Sequence, residues 1–210
     1  MKSAVILISG RGSNLRALLD AKLDLDIRCV VSNRPDAPGL EIAHTQNIKY
    51  KIIDHRQYAS RELFDAALAN SIDRFAPDYV ILAGFLRIFT NTFVLHYHQR
   101  MINIHPSLLP AFTGLDTHTR ALAAGVKIHG CTVHFVTPDL DGGPIIIQAA
   151  VPVLPDDTKD SLAQRVLTEE HKIYPKAISW LISDRIHIHG DQVLIKNAQP
   201  NATNLISPWN

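Results

Sequence analysis

The hydrophobic positions fall into two kinds of segment that alternate along the first half of the chain. Four short runs are rich in β-branched residues and lack polar alternation, as in strands buried on both faces of a parallel sheet. They span residues 5–8, 27–31, 50–53 and 79–82. Between them, apolar residues at helical spacing predict a helix starting at Ser13 and helices over 39–46 and 60–75. This order predicts an α/β fold with a doubly wound, mostly parallel sheet and helices on both faces.

The second half of the chain predicts a different kind of pairing. Residues 101–104 continue the strand pattern, and longer strands are predicted over 131–136 and 145–153, flanking a turn that contains Asp139, Asp141 and Gly142. Such turn chemistry favours antiparallel strands in the C-terminal half.

Helices are predicted over 119–124 and 158–182, the latter capped by Thr158 or Asp160 and bent at Pro175. After them the sequence predicts a short hairpin and a polar tail. We expect one domain over 1–190 with two halves, 1–100 and 101–185, followed by a C-terminal tail over 191–210.

The composition is that of a globular protein, with 46% hydrophobic and 20% charged residues. Twenty-one basic residues against twenty acidic ones give a net charge of +1, which argues against nucleic-acid and membrane-surface partners. The apolar stretches are shorter than the roughly 20 residues that span a bilayer. The N-terminal run is too short for a signal peptide. Cys29 and Cys131 are expected to be buried, reduced thiols, so a cytoplasmic location is expected.

A glycine-containing loop, Ser9-Gly10-Arg11-Gly12-Ser13-Asn14, joins the first strand to the first helix. Its glycines let backbone N–H groups approach an anion at the helix N-terminus, so a phosphate site at Gly12, Ser13 and Asn14 is predicted. The alternative is a merely tight turn. The dinucleotide fingerprint would need a third glycine where Leu15 stands, and no Walker motif is present, so NAD and ATP are poor candidates. A small phosphorylated substrate is favoured.

A second polar cluster involves a strand end and a distant turn. Asn103 and His105 lie two residues apart on one face of a strand, and two carboxylates, Asp139 and Asp141, lie in the glycine-containing turn. An amide, a histidine and a carboxylate that keeps the imidazolium charged suit addition to a carbonyl. The alternatives are a hydrogen-bonded loop histidine and a surface turn. No metal is expected, because the His-x-His pairs at 96–98 and 187–189 lack a third ligand at zinc spacing.

Several linked motifs resemble the folate-dependent formyltransferases. They are the runs 8–15, 103–110, 114–118, 130–136 and 140–144, and the resemblance extends to about Pro175. It implies a Rossmann-like formyltransferase fold and direct formyl transfer from 10-formyltetrahydrofolate, the co-substrate, to the amine of a glycinamide ribonucleotide in purine synthesis. Formyl transfer to methionyl-tRNA and hydrolysis of the formyl-folate are alternatives. Relatives with those activities usually carry additional domains, whereas this chain starts directly at the first strand. A non-catalytic folate- or nucleotide-binding module is a further alternative.

The resemblance also implies roles for individual residues. Catalysis is assigned to Asn103, His105 and Asp141; phosphate binding to Gly12, Ser13 and Asn14; glycinamide binding to Glu170; and folate binding to Arg61, Leu86, Arg87, Ile88, Phe89 and Asn103. Alternatively, Arg61 and Glu170 are solvated helix charges, and Leu86, Ile88 and Phe89 are plain core. The loop 111–114 departs from the family pattern of a basic residue, an aromatic residue and proline. The expected partners are small molecules, and the expected state is a monomer or a homodimer.

Overall fold

The computed structural model describes residues 1–197. The strands are β1 (Lys2–Ile8), β2 (Leu25–Ser32), β3 (Tyr50–Ile52), β4 (Tyr79–Leu82), β5 (Met101–His105), β6 (Ile128–Phe135), β7 (Ile145–Pro152), β8 (Ile186–His189) and β9 (Gln192–Ile195). The helices are α1 (Ser13–Asp20), α2 (Gly39–Thr45), α3 (Arg61–Asp73), α4 (Asn91–His96), α5 (Thr117–Ala123) and α6 (Lys159–Ile182).

Strands β1 to β7 form a sheet in the order β3-β2-β1-β4-β5-β6-β7, and β8 pairs with β9 in a separate hairpin. Strands β1 to β5 pair in parallel, whereas β6 and β7 are antiparallel, with Ile128 opposite Pro152 and Thr132 opposite Gln148. The mostly parallel α/β fold and the antiparallel pairing in the C-terminal half are therefore confirmed.

Two helix starts show how the local sequence defines the elements. Ser60 caps α3 by accepting a hydrogen bond from the N–H of Leu63. Thr158 caps α6 through reciprocal hydrogen bonds with Ser161, which decides between the two predicted caps. Pro175 lies inside α6 and does not end it.

The chain divides into two compact units. The first comprises Met1–Asn103 and Phe135–Asp139, and the second comprises Ile104–His134 and the described residues from Leu140 onward. The first unit thus extends three residues beyond the predicted limit of 100 and includes five residues that the sequence placed in the second half. Strand β9 lies within the predicted tail, and residues 198–210 of that tail lie outside the described residues.

The core of the first unit packs α3 and α4 on the parallel strands. Its fully buried members include Val5, Leu7, Cys29, Phe64 and Leu68. An aromatic row continues this core, with ring centroids 5.3 Å apart for Phe85 and Phe89, 4.4 Å for Phe89 and Phe93, and 5.0 Å for Phe93 and Tyr97.

In the second unit, α6 packs on β7. The buried face of α6 includes Leu162, Val166, Tyr174 and Ile178. A Cβ atom at Gly130 of β6 would lie 2.0 Å from the carbonyl oxygen of Ala149, so the close approach of β6 and β7 requires glycine there.

Both cysteines are buried and free, as predicted. Burial raises the pKa of the Cys29 thiol to about 11 and raises that of Cys131 further, so both remain protonated. None of the helices between residues 1 and 197 combines the length and apolar character of a bilayer-spanning segment.

Candidate active site

The glycine loop of the first unit forms a tight turn into α1. Gly12 is the N-cap of α1 and has a left-handed φ of 76°. A Cβ atom at Gly12 would lie 2.8 Å from the Cα atom of Gly39, whose N–H donates to the carbonyl of Gly10 at 3.0 Å. Close packing against α2 therefore requires glycine at position 12. The first turn of α1, which contains Ser13 and Asn14, carries no acidic residue, and this suits an anion.

The segment predicted to line a folate site follows β4 and has no regular secondary structure. The side chains of Leu86 and Ile88 are 68% and 60% exposed, so the plain-core alternative is wrong for these two residues. Phe89 is buried between Phe85 and Phe93, as that alternative proposed.

Two arginines predicted to contact folate also lie in the first unit. The guanidinium of Arg87 lies 5.2 Å from the ring centroid of Phe64, and its Nε has no hydrogen-bond partner among the described residues. Arg61 is the first residue of α3 and is exposed, so its alternative as a solvated helix charge stays open.

The structure brings His105 and Asp141 together in the second unit. His105 ends β5 and is buried, and its Nδ1 lies 3.5 Å from Oδ2 of Asp141. Its Nε2 lies 3.0 Å from the carbonyl oxygen of Phe112, which only accepts hydrogen bonds. Both ring nitrogens of His105 therefore lie near oxygen atoms that accept hydrogen bonds. Asn103 lies two residues before His105 in β5, on the same face of the strand.

Asp141 has two further neighbours in the second unit. The N–H of Gly114 donates to Oδ2 at 2.7 Å, and Nε2 of His134 lies 3.9 Å from Oδ1. The pairing of β6 with β7 shifts register between Val133 and His134, an irregularity that the sequence does not reveal.

The rings of His118 and His129 form a pair that the sequence did not predict. Nε2 of His129 lies 3.2 Å from Nδ1 of His118, and the His129 ring lies edge-on to Phe112 at 5.9 Å. Burial, assisted by the nearby His118 and His105, lowers the pKa of His129 to about 4. Burial and Lys159 also lower the pKa of His118. Both lowered pKa values favour neutral rings for His118 and His129. These two rings lie near the His105 cluster, by which we mean His105, Asp141, His134 and the backbone groups of Phe112 and Gly114 that contact them. Across residues 1–197, no group of three or more His, Cys, Asp or Glu side chains is arranged to hold a metal ion.

Side chains of β6 and β7 hold the loop that follows His105. Thr132 donates to the carbonyl of Ser107 at 2.7 Å and accepts from the N–H of Leu109 at 3.1 Å. Gln148 donates to the carbonyl of Leu109 at 2.9 Å. The Ser107 hydroxyl donates to the carbonyl of Ala111, so its role in this arrangement is structural.

Glu170 lies on the buried face of α6. Glu170 is 7% exposed, so its alternative interpretation as a solvated helix charge is wrong. After burial, the charge of Glu170 is the second cause that raises the pKa of Cys131 and of Tyr174, which places the carboxylate near both. The preceding Glu169 pairs instead with Lys172 at 2.8 Å.

Comparisons with known proteins identify the family. A model described as "Formyl transferase" matches residues 1–178. Phosphoribosylglycinamide formyltransferase of Escherichia coli (strain K12) is 50% identical over 189 residues, covering 88% of this chain and 89% of that protein. The trifunctional purine biosynthetic protein adenosine-3 of Drosophila melanogaster is 46% identical over 188 residues, covering 87% of this chain and 14% of that longer protein. Glycinamide ribonucleotide transformylase 1 from Symbiobacterium toebii has a crystal structure with a TM-score of 0.90 and 46% identity, covering 93% of this chain and 94% of that one. The chain therefore belongs to the formyl transferase family.

Proposed function

We propose that the protein transfers the formyl group of 10-formyltetrahydrofolate to the primary amine of N1-(5-phospho-D-ribosyl)glycinamide, a reaction of purine biosynthesis. The observation that carries this proposal is the buried His105–Asp141 pair, 3.5 Å apart, at the end of a strand that also bears Asn103. Membership of the family and the 50% identity to a formyltransferase of this specificity support the choice of donor and acceptor.

The chemistry begins when the amine of the nucleotide attacks the formyl carbon. A carbon–nitrogen bond forms, and the carbonyl oxygen becomes an oxyanion in a tetrahedral intermediate. Collapse of this intermediate breaks the bond to the folate nitrogen, which takes up a proton that the attacking amine has lost. The amide of Asn103 and the ring of His105 stabilise the oxyanion by donating hydrogen bonds, and the carboxylate of Asp141, 3.5 Å from Nδ1, orients the ring. Because both substrates are bound at the same time, the transfer needs no covalent enzyme intermediate.

Other residues bind the two substrates. Gly12, Ser13 and Asn14 hold the phosphate at the start of α1, where backbone N–H groups and the helix dipole favour an anion. The carboxylate of Glu170 accepts hydrogen bonds from the glycinamide group. Arg61, Leu86, Arg87, Ile88 and Phe89 line the folate site. The two exposed apolar side chains, Leu86 and Ile88, provide surface for an aromatic ring system. The partners are small molecules in the cytoplasm, and the protein acts as a monomer or a homodimer.

The test mixes purified protein with 10-formyltetrahydrofolate and follows the absorbance change of the folate, with and without the glycinamide ribonucleotide. We expect a change that depends on the nucleotide and an equal amount of formylated product. A change of the same rate without nucleotide would mean hydrolysis, and a change only with methionyl-tRNA would mean a different acceptor. Folate binding without turnover in any mixture would mean a binding module. Each of these three outcomes would overturn the proposal.

A further inference from the structure

Ser9 is a buried serine of the first unit that hydrogen-bonds to two other segments of that unit. Ser9 follows β1 directly and is 2% exposed, yet the proposed chemistry does not use it. Its hydroxyl donates to Oδ1 of Asn33 at 2.6 Å and accepts from the backbone N–H of Leu86 at 2.8 Å. Its own N–H donates to the carbonyl of Gly84 at 3.0 Å. Ser9 therefore makes three hydrogen bonds to two different segments.

The direction of these bonds is fixed by the number of protons. A serine hydroxyl has one proton, which it donates in the hydrogen bond to Oδ1 of Asn33, so Oγ can only accept from the N–H of Leu86. Asn33 is adjacent in turn to the ring of His55, whose Nδ1 lies 2.9 Å from the backbone carbonyl oxygen of Asn33 and 3.2 Å from its side-chain Nδ2, so Nδ1 donates to the first or accepts from the second. The hydroxyl is thus a pre-oriented acceptor rather than a free rotor.

The segment that receives this contact has few other constraints. Residues 85–90 form neither helix nor strand. Phe85 and Phe89 anchor the segment through their buried rings, but Leu86 lies between them with its side chain exposed. The backbone position of Leu86 therefore depends on Ser9, which is also the first residue of the glycine loop.

We propose that Ser9 is a positioning residue that couples the phosphate-binding loop to the folate-lining segment. This inference rests on the proposed function, because it takes the glycine loop and the segment 86–89 as the two binding elements. Ser9 touches neither substrate. It sets the position of the Leu86 backbone relative to the loop. Nucleotide binding at the loop therefore favours the position of the segment that binds folate, and folate binding at the segment favours the loop position that binds the nucleotide.

Ser9→Ala removes the acceptor from the N–H of Leu86. We expect the KM for 10-formyltetrahydrofolate to rise about tenfold and the KM for the nucleotide to rise about threefold, since leaving such a group unpaired typically costs an order of magnitude in affinity. Because the reacting groups are unchanged, kcat should stay within about twofold. Asn33→Ala frees the hydroxyl to rotate, so a smaller rise in the same two KM values is expected.

Ser3→Ala is a matched control on the same strand. Ser3 is also fully buried, and its hydroxyl donates to Oδ2 of Asp78 at 2.7 Å and accepts from the N–H of Asp78 at 3.2 Å, at the other end of β1. Both serines are thus buried, and each donates to a side-chain oxygen and accepts from a backbone N–H. Because Ser3 donates to a carboxylate, Ser3→Ala should lower the thermal stability at least as much as Ser9→Ala, and it should leave both KM values unchanged.

Equilibrium binding separates failure of this inference from failure of the proposed function. The affinity for a non-reactive folate analogue is measured by titration calorimetry, with and without the nucleotide. Tighter folate binding with nucleotide in the wild type and in Ser3→Ala, but not in Ser9→Ala, supports the inference. Equal coupling in all three proteins, or KM values in Ser9→Ala that match those of Ser3→Ala, would overturn it. Absence of formyl transfer in the wild type would count against the proposed function alone, because the binding arms do not require turnover.

Discussion

The glycine loop of the first unit and the His105 cluster of the second unit do their proposed work by different means. The loop uses backbone geometry: Gly12 has a left-handed φ, and its Cα faces Gly39 so closely that no side chain fits. The His105 cluster joins groups from separate segments: the side chains of His105, His134 and Asp141, the backbone carbonyl of Phe112 and the backbone N–H of Gly114. The loop should therefore be sensitive to added atoms, and the cluster to removed donors and changed charge.

The largest effects are expected from removing the proposed oxyanion donors. Asn103→Ala and His105→Ala should each lower kcat by about 10²–10³, equivalent to ~2.7–4 kcal/mol of transition-state stabilisation. Steady-state kinetics with both substrates measures this. His187→Ala, which removes an exposed histidine of the β8–β9 hairpin, should leave kcat unchanged. Near-normal turnover in either of the first two variants would show that the cluster does not perform the chemistry.

The next effect concerns the loop and should appear mainly in stability. Gly12→Ala forces a Cβ atom into backbone atoms at 2.8 Å and a side chain into a left-handed conformation, so a loss of roughly 2 kcal/mol is expected. This corresponds to a Tm lower by about 5 °C in a chain of this size. The KM for the nucleotide should rise as well, because the loop must move.

Gly10→Ala is the matched variant for this loop, since a Cβ atom at Gly10 meets nothing within 4 Å. It should change stability by no more than about 0.5 kcal/mol. Calorimetric melting of both variants makes the comparison. Equal melting temperatures would mean that the loop relaxes and that its backbone geometry is not the constraint we infer.

The same contrast explains what the sequence could predict. The parallel strands and the turn at Gly12 depend on residues close together in sequence, and both are found where the pattern places them. Helix α4 was missed because its six residues are too few for a periodic signal, although Thr90 caps it by accepting from the N–H of Phe93. Short elements of this kind are recognisable mainly from their caps.

The His105 cluster was predictable only in part. Asn103 and His105 follow from strand alternation, and the resemblance supplied Asp141. The contact between His118 and His129 depends on how α5 and β6 pack, and the approach of His134 to Asp141 coincides with a register shift. Neither packing nor a local irregularity is encoded in hydrophobic periodicity, so tertiary structure was needed for both.

The pH dependence of the free energy of unfolding tests whether the buried His129, near the His105 cluster, is neutral in the folded protein. The pKa of His129 is about 4 in the folded protein and 6.5 when unperturbed, so between these values the unfolded chain binds more protons. This contribution to stability is complete above pH 6.5 and is lost as the pH falls towards 4, by about 3 kcal/mol. His129→Gln should flatten this part of the profile in urea unfolding experiments. His118, whose pKa is also lowered, leaves a residual slope of the same sign. An unchanged profile would show that His129 is not held neutral by burial.

The smallest effect compares two adjacent carboxylates of α6. Glu170 is buried, and we propose that it binds the glycinamide group, whereas Glu169 is partly exposed and paired with Lys172. Glu170→Gln keeps the size of the side chain but removes the charge, so the KM for the nucleotide should rise about tenfold while that for the folate changes little. Glu169→Gln removes a surface ion pair worth less than about 1 kcal/mol and should leave both KM values unchanged. If the two variants behave alike, Glu170 does not contact the substrate, and its burial near Cys131 and Tyr174 has a structural reason.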